Sequence, residues 1–170
     1  AKQIRDVIMK TLTMLMLGLG LTVSAVANAG GIGVVDLAKV VESSTYLKQQ
    51  NDSLGQSVKP TSAKLEQLGK EIESLQQKAQ SANQADLQKV SGQYQAKVNE
   101  FNTTQQGLQT KVQTTLQTMN TNFENRVKQA AEQLRKENNL DFILNKNSTI
   151  ASDAQYDLTD KMIQKVNAMK

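Results

Sequence analysis

The feature that most constrains this chain is a thin apolar stripe running through residues 45–139 on an otherwise polar background. Apolar residues recur there at three- and four-residue steps. They are Leu54, Val58, Leu65, Leu68, Ile72, Leu75, Ala79 and Ala82, then Leu87, Val90, Tyr94, Val98, Phe101, Leu108, Val112, Leu116, Met119, Phe123, Val127, Ala130 and Leu134. This spacing lines one side of an α-helix. The steps average about 3.5 residues in the first set, the heptad value, and about 3.6 in the second, close to an unwound helix. The first set is therefore predicted to supercoil left-handed and the second to run nearly straight. Between them, Ser81-Ala82-Asn83-Gln84 has the Ser-x-x-Gln form of a capping box. It marks the predicted tip of a helical hairpin, with the second helix starting there. That helix, from Asp86 to Asn139, would extend roughly 80 Å. So thin a stripe asks for partner helices, another copy of the chain, or a client.

Composition removes most chemistry. The 170 residues include no cysteine and no histidine. Thiolate nucleophiles, disulfides, Cys-based metal sites and imidazole general bases are all excluded. Gly30-Gly31-Ile32-Gly33 precedes a predicted strand instead of following one, so it is not a phosphate-binding loop. No catalytic, metal-ligating or cofactor-binding residue is assigned, and no enzymatic activity or cofactor is expected. Aromatics make up only 4% and tryptophan is absent, so a thick globular core is not expected either.

The N-terminus has the grammar of an export signal. Lys2, Arg5 and Lys10 precede an apolar run over residues 11–26, and Ala27-Asn28-Ala29 fits the small-x-small cleavage pattern before Gly30. The alternative, a membrane anchor, needs roughly 20 apolar residues and a charged stop. Residues 1–29 are therefore expected to be a cleaved signal peptide. Its removal takes 3 of the 20 basic and 1 of the 16 acidic residues, leaving 17 and 15 and a net charge of +2. So mild a charge makes nucleic acid a poor partner. An exported chain without a nucleotide motif must also work without ATP.

The segments flanking the hairpin are predicted to form a small body, residues 30–44 and 140–170. Ile32-Gly33-Val34-Val35 reads as a strand and Asp36 as the N-cap of a short helix over 37–41, ending near Ser43-Ser44. The first long helix contains Pro60; a kink is favoured over a rod that begins only there. Residues 101–123 carry a single charge, Lys111. Such a segment reads either as a loosely specified two-helix arm or as a surface that accepts varied partners. Gly92 and Gly107, each costing about 1 kcal/mol in a helix, lean toward flexibility. After Asn138-Asn139, residues 140–144 and 149–151 are predicted to pair as a β-hairpin across the turn at 145–148. Asp157 is the expected N-cap of a last helix lined by Leu158, Met162, Val166 and Met169. So small a sheet is marginal alone, and several copies would pair its edges and share its apolar residues. The expected contacts between copies are Ile32, Val34, Phe142, Leu144 and Ile150.

This order of elements, with Ile32-Gly33-Val34-Val35-Asp36, Leu140-Asp141-Phe142-Ile143-Leu144 and Asp157-Leu158-Thr159, resembles the Skp/OmpH family of periplasmic chaperones. The likeness covers nearly all of residues 30–170. It implies a mainly α fold: a homotrimer with a small β-barrel-like body and long helical-hairpin arms around a cavity. It further implies ATP-independent holding of unfolded outer-membrane β-barrel proteins in the periplasm, and leaves peripheral contact with a membrane surface open as a partner. Client contacts would fall on Leu68, Ile72, Leu75, Val90, Tyr94, Val98 and Phe101, for which the seam between the arm helices is the competing and favoured reading. The sequence departs from the family in one respect. Known members carry strongly basic arms with a proposed lipopolysaccharide site, whereas Val112-Gln113-Thr114-Thr115 here is uncharged, so that site is not carried over. A non-chaperone coiled-coil scaffold or envelope spacer is the alternative function.

Overall fold

The computed structural model describes residues 30–170, so the expected signal peptide and its Ala27-Asn28-Ala29 site lie outside the described residues. The chain begins with β1 (Gly31–Val35) and α1 (Leu37–Glu42). Asp36 caps α1 by accepting from Lys39 N, as its position suggested. Ser44 then starts the arm, its hydroxyl accepting from Leu47 N. The arm is α2 (Thr45–Ser81) followed by α3 (Gln84–Glu137). By their rise per residue they are about 55 Å and about 80 Å long. Helix α2 is unbroken through Pro60, so the reading in which the rod begins only at that proline is excluded.

Two caps differ from expectation. At the tip, Asn83 and not Ser81 is the N-cap of α3: its side-chain oxygen accepts from Asp86 N at 2.8 Å. Ser81 is the last residue of α2 and donates to Lys78 O. The Ser-x-x-Gln spacing was real, but Ser81 is still helical and cannot take the extended backbone a cap needs. At the last helix, α4 (Thr159–Ala168), the N-cap is Leu158. Asp157 stands one residue earlier yet still accepts from Thr159 N, doing the electrostatic work of a cap from outside.

The larger correction concerns the sheet. Among the described residues there is no β-hairpin. β2 (Leu140–Asn145) pairs in parallel with β1, with Ile32 opposite Phe142 and Val34 opposite Leu144. Parallel strands need a long crossover, and here the whole arm serves as one. Asn145 accepts from Asn147 N and a 3₁₀ turn forms over Lys146–Ser148, with Thr149 N bonded to Lys146 O. That turn carries residues 149–151 off the sheet, so no third strand forms there. β1 gains only a bridge from Val34 to Asp157 on its other side, with Leu158 N donating to Val34 O at 2.8 Å.

The core sits where the arm meets this sheet. Val35, Val40, Ala130, Leu134, Leu158, Met162 and Val166 are buried together, so α4 packs its predicted face onto α1 and the base of α3. Gly33 is needed here: a Cβ would come within 2.7 Å of Leu158 and 2.9 Å of Leu140. The return into β2 uses Asn139, whose φ of 50° is the left-handed conformation that asparagine tolerates.

Candidate functional site

Two surfaces remain after the core is closed. The first is the outward face of the sheet. Side chains alternate along a strand, and the register therefore puts Ile32, Val34, Phe142 and Leu144 on one face, with Val35 and Ile143 turned to the core. Val34 is buried, but Ile32, Phe142 and Leu144 are 49%, 60% and 40% exposed. Ile150, lifted off by the 3₁₀ turn, is fully exposed, and Tyr156 is half exposed beside them. A groove of about 600 Å³ runs along this face, lined by Ile32, Val34, Leu144 and Tyr156 among others. So much clustered apolar surface marks an interaction site. The four sheet residues expected to meet other copies thus lie together, and Ile150 flanks them from the loop. Tyr156 was missed by the sequence reading; it follows no strand or helix period.

The second surface is the arm. Leu68 and Leu75 are buried in the seam between α2 and α3. Ile72, Val90, Tyr94, Val98 and Phe101 are half-buried along the same seam. Leu87, near the tip, and Leu116, toward the base, are more exposed than any of these. The helical period alone could not separate them, because both belong to the same stripe.

Polar contacts fasten the distal part. Lys64 Nζ pairs with Glu100 at 2.9 Å, and Lys97 Nζ with Glu71 at 2.6 Å and Glu100 at 3.7 Å. Gln76 donates to the Tyr94 hydroxyl at 3.2 Å. Lys64 holds the Glu100 carboxyl below its ordinary range by hydrogen bonding and charge, and Lys97 does the same for Glu71 with help from Gln67. These groups remain well exposed to water, so each pair adds little alone. Near the base, Arg126 lies 4.2 Å from the centre of the Tyr46 ring and donates to Met169 O at 2.6 Å. Thr45 N and its hydroxyl both donate to Asn167 Oδ1.

Among the described residues, no group of three or more metal-ligating side chains gathers, and no helix is long and apolar enough to cross a membrane. What the two surfaces offer is apolar contact area.

A family model described as "Outer membrane protein (OmpH-like)" matches residues 31–166, most of the chain. No curated protein matches. Among solved structures, a candidate outer membrane chaperone (OmpH-like) from Caulobacter crescentus CB15 is similar, with a TM-score of 0.70. The match covers 82% of this chain and 85% of that one at 19% identity, and at that identity it shows the fold alone. The chain belongs to the OmpH-like (Skp) family.

Proposed function

We propose that this chain is a periplasmic holdase: an ATP-independent chaperone that keeps unfolded outer-membrane β-barrel proteins soluble in a cavity between helical arms. In this reading residues 1–29 are removed on export. Three copies associate through the sheet face carrying Ile32, Phe142, Leu144 and Ile150, giving a small β-barrel-like body from which the arms project.

The observation that carries the reading is the arm itself. It is a long hairpin with a half-buried apolar seam and one charge, Lys111, between residues 101 and 123. An unfolded β-barrel chain exposes alternating apolar side chains. Many weak contacts on such a surface hold it without a grip that would need fuel to release. Ile72, Val90, Tyr94, Val98 and Phe101 are half-exposed and available for this, together with Leu87 and Leu116. Leu68 and Leu75 serve the seam first. With only +2 on residues 30–170, long-range attraction of acidic clients is weak.

The test uses residues 30–170 and an unfolded outer-membrane β-barrel protein diluted from denaturant. Light scattering should show aggregation suppressed near stoichiometric ratio without nucleotide. No suppression at several-fold excess would sink the chaperone reading and favour the scaffold. Mass measurement on the same sample should give a trimer, and a stable monomer or dimer would rule that assembly out.

A further inference from the structure

The parallel pairing of β1 with β2 is regular except at its first step. Gly31 stands opposite Leu140 and Ile32 opposite Phe142, so Asp141 is the extra residue of a bulge and has no partner in β1. A bulge re-aims the side chain it carries. Here Asp141 is turned onto the residue before β1: its carboxylate fills the space where a Cβ on Gly30 would stand, so only glycine fits there. Gly30 N is bonded to the same Cα, which puts it within about 4 Å of that carboxylate.

The cation already near Asp141 is committed elsewhere. The Arg135 pKa is raised first by Glu132 and least by Asp141. Its guanidinium bonds Glu132 through Nε and Nη2 and the Leu140 carbonyl through Nη1. Asp141 itself is exposed on the strand. Before any cut, Gly30 N is a neutral amide. The Ala27-Asn28-Ala29 pattern puts the cut of the export signal directly before Gly30. A leader-cleaving endopeptidase adds water across the Ala29–Gly30 peptide bond. Ala29 leaves as a carboxylate, and Gly30 N, taking both protons of the water, becomes an ammonium.

We infer that removal of residues 1–29 completes the body: the new Gly30 ammonium pairs with the Asp141 carboxylate and latches the start of β1 onto the bulge of β2. A charge-assisted hydrogen bond replaces a neutral contact at that point. A chain still carrying the leader lacks the latch and holds β1 less firmly, which suits export of an unfolded chain. Gly30 and Gly31 also line the groove on the outward face, so the latch fixes one rim of the surface proposed to meet other copies. The inference rests on the reading that residues 1–29 are removed on export. The approach of Asp141 to Gly30 does not.

The test starts from the full chain expressed with export. The protein recovered from the periplasm should have the mass of residues 30–170. Its Gly30 α-amino group, followed by NMR through the Gly30 Cα, should titrate above the ordinary range of a free terminus. Asp141→Asn should return it to that range. So should a chain that keeps Ala29 before Gly30 and carries its charge one residue farther out. A raised folded value means that the contribution of the latch is present below the ordinary terminus range and is lost as pH rises through the raised value. In urea unfolding, the folded-to-unfolded ratio of the parent should therefore exceed that of the Ala29-retaining chain by about two- to fivefold at pH 6.5, and equal it at pH 10. A parent terminus in the ordinary range, or one that stays raised in Asp141→Asn, overturns the latch. If Asp141→Asn does not fold, the Ala29-retaining chain decides. A recovered chain that begins at Gly30 with an unshifted terminus refutes the latch and leaves the cleavage reading standing. A recovered chain that begins elsewhere refutes the cleavage reading and the latch with it.

Discussion

Replacing Phe142 with alanine isolates the proposed contact between copies, because this ring contributes nothing to the core of its own chain. Phe142 is 60% exposed, opposite Ile32 across the parallel pair. A phenylalanine presents about 200 Å², so about 120 Å² is available to a partner copy, worth at most about 3 kcal/mol per protomer at 25 cal/mol/Å². In a closed trimer the loss counts three times, and the midpoint concentration of assembly varies as the square root of the overall constant. A full 3 kcal/mol per protomer then raises that midpoint by roughly a thousandfold, and even 1 kcal/mol raises it about tenfold. Sedimentation velocity over a dilution series reads this directly. Leu87→Ala, at an exposed apolar position near the arm tip, is the control and should leave the midpoint where it was. A Phe142→Ala protein that assembles at the same concentration as the parent would refute the assignment of this face.

Three further outcomes follow from the geometry. Leu134→Ala should lower stability by about 2–5 kcal/mol in urea unfolding, because the side chain is 1% exposed in the body core and leaves a cavity. Asn83→Ala should cost about 1 kcal/mol and fray the start of α3 in hydrogen exchange, whereas Ser81→Ala should change little, since only Asn83 caps that helix. The Asp157 carboxyl is held at about 2, first by the Thr159 hydroxyl, then by Thr159 N–H and by Lys146. A depressed folded value means that its contribution is present above the ordinary aspartate range and is lost as pH falls from about 4 toward 2. Thr159→Val should therefore flatten that limb of a stability-versus-pH curve, and Lys146→Met should alter it much less.

The elements that could be read from the sequence are those whose reasons are local. Asp36 and Ser44 are caps because a short polar side chain sits just before a helix, and both cap as expected. The face of α4 was visible in the spacing of Leu158, Met162 and Val166, all buried. The sheet was not legible in the same way. Residues 149–151 have strand-forming composition, but Asn145 captures the backbone N–H of Asn147 and turns the chain before any hairpin can close. Pairing of β1 with β2 depends on partners more than 100 residues apart, which no local pattern encodes. The arm was half legible. Its stripe located the seam, yet Leu68 and Phe101 look alike in periodicity, and only the packed hairpin shows the first buried and the second half-open.

The parallel sheet also dictates an order of events. Gly31–Val35 cannot find its partner until Leu140–Asn145 has been made and delivered. Joining two strands across more than 100 flexible residues is entropically expensive. Once α2 and α3 have zipped from the Asn83 end, however, the two strands stand on neighbouring stems and the effective loop shrinks to roughly 15 residues, saving about 2 kcal/mol of closure entropy. Zipping is local and fast, and the sheet is late and nonlocal. The arm is therefore the splint on which its own base is assembled. Until that base closes, a newly made copy carries Ile32 and Phe142 on unpaired segments, where unpaired apolar strands invite aggregation.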